Sequence, residues 1–144
     1  MASHVESLFV QENDSELIYR PHEKIGVLVV DNFPRLGTLT AARFLEWVQD
    51  NPEGVVSLPT GKTPEFFIKE TRRLLRDWDT KDMQGELETL GLDPSRKPDL
   101  HGLRLVQIDE FYPINPLHQN SFYHYVQKYY VDTFGLDPDR GLFI

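Results

Sequence analysis

The sequence predicts an α/β fold with a doubly wound, mostly parallel sheet and helices on both faces. Short apolar runs rich in β-branched residues end at turn-forming or acidic residues, which is typical of strands. Between them lie longer segments whose apolar residues recur at helical spacing. Because the two patterns alternate in the order β-α-β-α-β-α-β, right-handed crossovers and a Rossmann-like parallel sheet are expected.

Four segments are predicted as strands. Ile25–Val30 is a continuous apolar run, which is typical of a strand covered on both faces. Val55–Leu58 and Leu103–Ile108 are further runs of this kind, and Gly141–Ile144 has the start of another. Ligands of such sheets bind beyond the carboxyl ends of the strands, so the residues that follow these runs are the candidates for a functional site.

Three helices are predicted between the strands. The first spans about residues 36–50, and Pro34 and Gly37 are predicted to break the chain at its start. The second follows Thr63, a typical N-cap residue, with Pro64 at the first helical position. The third carries an aromatic stripe and stops at Gly135. The stripe residues of the third helix are Phe122, Tyr125, Val126, Tyr129, Tyr130 and Phe134.

The remaining segments divide the chain. Residues 1–24 are polar with scattered apolar residues and are predicted as an N-terminal extension, in which Leu8–Val10 could form a short edge strand. Residues 25–144 are predicted as one α/β domain. Within it, residues 79–102 are interrupted by Gly and Pro and are predicted as an insertion with one short helix.

Composition excludes several classes of function. The chain has 144 residues, a formal net charge of −8 and no cysteine. Nucleic-acid and anionic-membrane binding need a basic surface, so neither partner is expected. The lack of cysteine rules out disulfides and thiolate metal sites and fits a reducing, cytoplasmic compartment. No stretch of the sequence is long and apolar enough to span a bilayer.

The stretch Val55–Pro64 combines a strand, a tight polar turn and the first turn of a helix. Its turn, Thr60-Gly61-Lys62-Thr63, presents two hydroxyls, one ammonium group and backbone N–H groups to one point. A helix N-terminus with such donors is suited to bind a phosphate group. The alternative is an ordinary strand–helix turn with a well-capped helix, since one Gly-containing turn is a weak motif.

Asp109 and Glu110 follow the run Leu103–Ile108 and form the second candidate cluster. Because they are adjacent at a strand end, their side chains point in different directions. A carboxylate beside a bound sugar phosphate could act as a general base. The alternative is a structural pair that caps a helix or meets an arginine. No metal site is expected, because His118 and His124 lack an evident third ligand.

Three motifs resemble those of glucosamine-6-phosphate deaminases and occur in the order found in that family. Leu58–Pro64 is similar to the LPTGGTP phosphate loop, Asp109–Phe111 to the DEY motif, and His118–Phe122 to the HPESY segment. The resemblance covers roughly residues 25–144 and extends, more distantly, to 6-phosphogluconolactonases. It implies that this chain is the N-terminal part of a larger domain.

The resemblance also implies a reaction and a site. Glucosamine 6-phosphate and water would give fructose 6-phosphate and ammonia, without a metal or another cofactor. Asp109 would be the base that moves a proton between C2 and C1 of the opened amino sugar, and Glu110 would help to set its environment. The residues implied to bind the substrate or its phosphate are Thr60, Gly61, Lys62, Thr63, His118 and Ser121.

This chain departs from the family at three points. The stretch between Arg76 and Leu103 is longer than is usual in the family. Lys62 stands where the family has a second loop glycine. The family's later GxGxDGHxAFNEP segment, whose histidine opens the sugar ring, has no match, so the chain is expected to be inactive alone. A non-catalytic sugar-phosphate sensor and a sugar lactonase stay open as alternatives, although the pair Asp109–Glu110 favours the deaminase over the sensor. Assembly into a homo-oligomer also stays open.

Overall fold

A computed structural model describes residues 3–12 and 27–144 of the chain. Strands alternate with helices along these residues, so the predicted α/β class is confirmed. No helix within these residues is both long and apolar enough to cross a membrane. The helices are α1 (His4–Glu12), α2 (Phe33–Asp50), α3 (Glu65–Asp77), α4 (Lys81–Thr89), α5 (Phe122–Val126) and α6 (Asp132–Phe134), and the strands are β1 (Val55–Val56), β2 (Arg104–Val106) and β3 (Gly141–Leu142).

The three strands form one parallel sheet in the order β1-β2-β3. Each strand lies within its predicted run and is shorter than that run, with Val55 opposite Arg104 in the register of β1 and β2. Parallel neighbours need crossover connections, which return the chain so that both strands end at the same edge. The sheet therefore places the loops after β1 and β2 side by side.

The two faces of this sheet differ in exposure. Leu105 is 3% exposed and belongs to the core. Val55 and Leu142 point to the opposite face, because side chains alternate along a strand, and they are 58% and 63% exposed. The described residues thus cover one face of the sheet, and the doubly wound arrangement with helices on both faces stays a prediction.

The first predicted strand, Ile25–Val30, lies partly outside the described residues. Of its remainder, Val27 forms only an isolated bridge. Leu28 and Val30 pack against the core, whereas Val27 and Val29 are 42% and 56% exposed. The described part of this segment therefore has one face on the core and one exposed face, and cover on both faces stays a prediction.

Helix α2 begins earlier than predicted. The Asn32 side chain caps it by accepting a hydrogen bond from the Arg35 N–H at 2.8 Å, and Pro34 lies in its first turn. Proline loses no hydrogen bond there, because first-turn N–H groups have no partner within the helix. The prediction that Pro34 and Gly37 break the chain is wrong, since Pro34 instead helps to start α2 and Gly37 lies within it.

Helices α2 and α3 pack against each other at the centre of the core. The predicted N-cap at Thr63 is wrong, because a turn closed by the Glu65 N–H and the Lys62 carbonyl at 3.2 Å places Pro64 next to the helix. No side chain caps α3 within the described structure. The buried residues of the two helices are Gly37, Leu39, Ala41, Ala42, Leu45 and Val48 of α2 and Phe67, Ile68, Thr71 and Leu74 of α3.

Two segments predicted as peripheral contain helices that pack on the core. Helix α1 stands where an edge strand was predicted at Leu8–Val10, and that prediction is wrong. Val5 and Phe9 are buried and lie four residues apart, which puts them on one face of a helix. Helix α4 is the short helix predicted within residues 79–102, and the Thr80 side chain caps it.

One helical segment in three parts runs from Phe122 to Phe134 and consists of α5, a π-helical turn and α6. We call residues 122–134 the aromatic helix. Val126, Tyr130 and Phe134 of the predicted stripe are buried. Gly135 ends the segment with φ +70°, a left-handed conformation in which a helix stop is common. The helix stop is confirmed, and the stripe is confirmed in part, since Phe122 and Tyr125 are half-buried and Tyr129 is exposed.

Gly37 allows α2 and α3 to approach closely. A Cβ atom there would lie 2.5 Å from the Cβ and 2.7 Å from the carbonyl carbon of Phe66. Because backbone cannot move aside without shifting a helix, we expect Gly37→Ala to lower the free energy of unfolding by about 1–3 kcal/mol. Gly85→Ala, within α4 and with no atom inside 4 Å of the added carbon, is the matched control. It should stabilise by about 0.5–1 kcal/mol. Equal effects in urea denaturation would contradict the close approach.

Candidate functional site

Two loops leave the sheet at one edge. Residues 57–64 follow β1 and residues 107–121 follow β2, and these two strands are parallel neighbours. The predicted phosphate-binding turn lies in the first loop. The sheet therefore brings the two predicted clusters to the same edge. The predicted residues of the second loop are Asp109, Glu110, His118 and Ser121.

The turn of residues 60–63 is largely open to solvent and is shaped by Gly61. Gly61 has φ +92°, and an added Cβ would meet no atom within 4 Å. Lys62 and Thr63 are exposed and Thr60 is half-buried. None of the described residues forms a hydrogen bond with either threonine hydroxyl. The Glu65 N–H is already bonded to the Lys62 carbonyl, and Pro64 has no N–H. The two hydroxyls and the later N–H groups of the first turn of α3 are thus the donors available to an anion.

Two tyrosines of the aromatic helix hold this turn. The Tyr125 hydroxyl donates to the Gly61 carbonyl at 2.8 Å, and the Tyr130 hydroxyl donates to the Pro59 carbonyl. Burial, followed by the nearby Tyr125 phenol, raises the pKa of Tyr130, which therefore remains a neutral donor. The sequence predicts these tyrosines only as core and interface residues. The hydroxyls were the one feature of the sequence that could have indicated these hydrogen bonds, because a buried tyrosine needs a polar partner.

A π-helical turn lets both tyrosines reach the same loop. Residues five apart in a regular α-helix point about 140° away from each other. Over Gln127–Val131 the helix is wider, and the Asp132 N–H bonds to the Gln127 carbonyl five residues earlier. The wider turn brings Tyr125 and Tyr130 towards one side. Such turns occur often at functional sites.

Glu110 joins the second loop to the start of the aromatic helix. Its Oε2 accepts hydrogen bonds from the Ser121 hydroxyl at 2.6 Å and the Tyr123 N–H at 2.9 Å. Its Oε1 accepts from the N–H groups of Phe122 at 3.0 Å and Phe111 at 2.9 Å. Partial burial raises the pKa of this carboxyl, but the four hydrogen bonds, led by that from Ser121, outweigh it and lower the pKa to about 2. Glu110 therefore caps this helix, which is the structural role considered for it from the sequence.

Asp109 has different surroundings. It is exposed, and its carboxylate accepts no hydrogen bond from residues 3–12 or 27–144. Its backbone carbonyl accepts from the Gln107 side chain at 2.9 Å, and the Gln107 amide oxygen accepts from the Ile144 N–H at 3.4 Å. Gln107 is a buried positioning residue that sequence reasoning missed, because one glutamine in an apolar run gives no signal of its own. The arrangement leaves the Asp109 carboxylate accessible for proton transfer.

Ser121 lies inside this hydrogen-bond network and His118 lies outside it. Besides donating to Glu110, the Ser121 hydroxyl accepts from the His124 N–H at 3.3 Å, and Ser121 is 1% exposed. His118 is exposed, and its Nδ1 accepts from the Asn120 N–H at 3.2 Å. In the part of the chain that the structure describes, no group of three or more potential ligand side chains is placed to hold a metal ion.

Tyr130→Phe removes one hydroxyl and leaves the Pro59 carbonyl without its donor. Because the phenylalanine fills the same buried space, the lost hydrogen bond should dominate, and we expect the free energy of unfolding to fall by about 1–2 kcal/mol. Tyr112→Phe is the control, since Tyr112 is 99% exposed. It should change stability by less than about 0.5 kcal/mol. Identical urea midpoints for the two variants would contradict the contact between the aromatic helix and the loop.

Glu110→Gln keeps the shape of the side chain and removes its charge. The pKa falls from 4.5 to about 2 in the folded state, so the ionised carboxylate stabilises the fold above pH 4.5, and this stability is lost as pH falls towards 2. We expect the variant to be less stable at pH 7 by about 1–2 kcal/mol, with a difference that shrinks on acidification. The control is Glu88→Gln, whose exposed side chain has no described partner. A difference independent of pH would argue against a charged cap.

Comparison with known proteins identifies relatives. No protein-family model matches the chain. A glucosamine-6-phosphate deaminase of Clostridium botulinum (strain Loch Maree / Type A3) is 24% identical over 114 residues, which cover 79% of this chain and 39% of that protein. Glucosamine-6-phosphate deaminase 2 of Bacillus subtilis (strain 168) gives the same identity and coverage.

A solved structure shares the fold. A monomeric glucosamine-6-phosphate deaminase of the NagB superfamily superposes with a TM-score of 0.61 at 18% identity, over 78% of this chain and 39% of that one. The chain thus spans about 39% of the length of the relatives it matches. These matches confirm the resemblance indicated by the three motifs: the chain is similar to the N-terminal portion of the glucosamine-6-phosphate deaminase family.

Proposed function

We propose that this chain carries two loops of a glucosamine-6-phosphate deaminase-like enzyme. Residues 57–64 form the phosphate loop, and residues 107–121 form the carboxylate loop. The observation that carries the proposal is the aromatic helix, which is hydrogen-bonded to Glu110 at its start and to Pro59 and Gly61 along its length. One helix thereby holds both loops at one edge of the sheet. The 24% identity to proteins named as deaminases supports the same assignment.

In this proposal the sugar phosphate binds at residues 60–63. The hydroxyls of Thr60 and Thr63 and the N–H groups at the start of α3 donate hydrogen bonds, while Lys62 supplies positive charge. Glu65 lies in the first turn of α3 and would repel the phosphate. Its carboxylate is paired with the Lys69 ammonium group at 2.6 Å, which offsets part of that repulsion.

Asp109 is proposed as the base of the reaction. A proton would leave C2 of the open-chain amino sugar and return at C1, while water replaces the amino group, which departs as ammonia. An exposed carboxylate with no described donor is a better proton acceptor than Glu110, whose pKa is about 2. The adjacent carboxylates thus take different roles because their hydrogen-bond environments differ.

Glu110 and Ser121 act in this proposal as positioning residues. Their mutual hydrogen bond and the N–H groups that Glu110 accepts hold the start of the aromatic helix, and with it the backbone beside Asp109. His118 is proposed to contact substrate, since its ring is exposed and its Nδ1 is turned to the local backbone, which leaves Nε2 for a ligand.

The wider architecture belongs to the same proposal. The exposed face of the sheet, with Val55 and Leu142 uncovered, suits a doubly wound domain in which further helices pack on that face. A cytoplasmic location is proposed with it. Because no residue of this chain matches the family's ring-opening histidine segment, we expect the 144-residue chain to release no ammonia by itself.

A non-catalytic sugar-phosphate-binding domain is the second candidate function. The observation that favours it is the structural role of Glu110, which leaves Asp109 as the one acid of the predicted pair that is open to a ligand. A sensor would need the phosphate turn and the aromatic helix that holds it, and would need no base.

Asp109→Asn in the complete protein separates the two candidates. If Asp109 is the base, ammonia release from glucosamine 6-phosphate should fall by at least about 100-fold, with affinity changed by less than about threefold. Thr60→Val tests the phosphate loop in the same way, and it should weaken binding of the sugar phosphate by roughly tenfold. Calorimetric titration measures the affinity, and an ammonia assay measures the turnover. Full turnover by the Asp109 variant would contradict its assignment, and unchanged affinity of the Thr60 variant would contradict the phosphate loop.

A further inference from the structure

We propose that a groove beside the phosphate turn is a second anion-binding site, which takes a phosphorylated small molecule. The groove has a volume of about 680 Å³ and lies between residues 61–62, α3 and the aromatic helix. Its size falls within the range of ligand sites. The inference goes beyond the proposed function, because the groove shares only Gly61 and Lys62 with the turn of residues 60–63 and its other cations lie on α3 and the aromatic helix.

The charge of the groove is opposite to that of the chain. Four cationic side chains line it, against one carboxylate, in a protein of net charge −8. They come from three elements, so they are not one solvated face of a single helix. Like charges that share a groove repel each other, and a bound anion relieves that repulsion. The cations are Lys62, Lys69, Arg72 and Lys128, and the carboxylate is Glu65.

The arginines of α3 differ in their acidic partners, and this difference distinguishes the groove from the rest of the helix surface. Arg73 is hydrogen-bonded to Glu70 at 2.7 Å, and Arg76 to Asp77 at 2.6 Å. Arg72, which lies next to Arg73 and faces the groove, has no acidic partner among the described residues. An arginine in this state keeps its planar donors available for the bidentate recognition of a phosphate.

One wall of the groove is aromatic. The rings of Tyr125 and Tyr129 lie 4.6 Å apart with an angle of 46°, and Tyr129 is 37% exposed. The Lys128 ammonium group lies 5.0 Å from the Tyr129 ring centroid. A flat apolar wall beside cations suits a phosphorylated ligand that carries a ring. Tyr125 also donates to the Gly61 carbonyl, so a ligand in the groove would affect the position of the phosphate turn, residues 60–63.

Titration with inorganic phosphate, followed through the backbone amide resonances of the chain, tests the site. We expect two groups of shifted amides, one at Thr60 and Thr63, which do not line the groove, and one around Arg72 and residues 128–129. Replacing two of the four cations, by Arg72→Gln with Lys128→Gln, should weaken binding at the second group by roughly tenfold and leave the first in place. Arg76→Gln is the matched control, because Arg76 lies on α3 outside the groove and is paired with Asp77.

The outcomes separate this inference from the proposed function. Shifts at Thr60 and Thr63 alone, or shifts around Arg72 that persist unchanged in the double variant, would overturn the groove site and leave the phosphate loop intact. Shifts around Arg72 that the double variant abolishes, with none at Thr60 and Thr63, would support the groove and overturn the phosphate loop. An equal loss of groove binding in Arg76→Gln would show a non-specific effect of charge and would also overturn the site.

Discussion

The hydrogen bonds between the aromatic helix and two loops are the constraint on which the site depends. The start of the helix binds the Glu110 carboxylate through two N–H groups, and Tyr125 and Tyr130 bind the backbone of the other loop. These contacts join chain segments that leave neighbouring strands, so the positions of both loops are coupled. The two tyrosine contacts occur together because of the π-helical turn, since a regular α-helix would direct the two side chains apart.

The same contacts separate the chemical roles of neighbouring residues. Glu110 is surrounded by donors and stays ionised to low pH, whereas the adjacent Asp109 carboxylate faces solvent. Arg73 is paired within the helix surface, whereas Arg72 faces a groove without an acidic partner among the described residues. In both pairs the two residues carry the same charge, and their local hydrogen-bond partners determine which of them is available to a ligand.

Features that depend on local periodicity were predictable from the sequence, and features that depend on distant partners were not. The buried faces of α2, α3 and the aromatic helix follow from apolar spacing, and Gly135 from its helix-stop chemistry. The Tyr130 contact links residues 71 positions apart, and sequence spacing carries no signal for it. Burial on both faces stays a prediction for residues 25–30, because an apolar run does not show what covers it. The two site loops were found because three motifs recur in order, while Gln107 and the tyrosine hydroxyls lie outside any motif.

The most direct test of this account is the distance between the aromatic helix and the phosphate turn in solution. Nuclear Overhauser contacts would be measured from the ring protons of Tyr125 to Gly61 and Lys62, and from those of Tyr130 to Pro59. Both sets of contacts are expected in the folded chain. Their absence, with residues 122–134 still helical by chemical shift, would show that the helix does not hold the turn, and would contradict the coupling of the two loops.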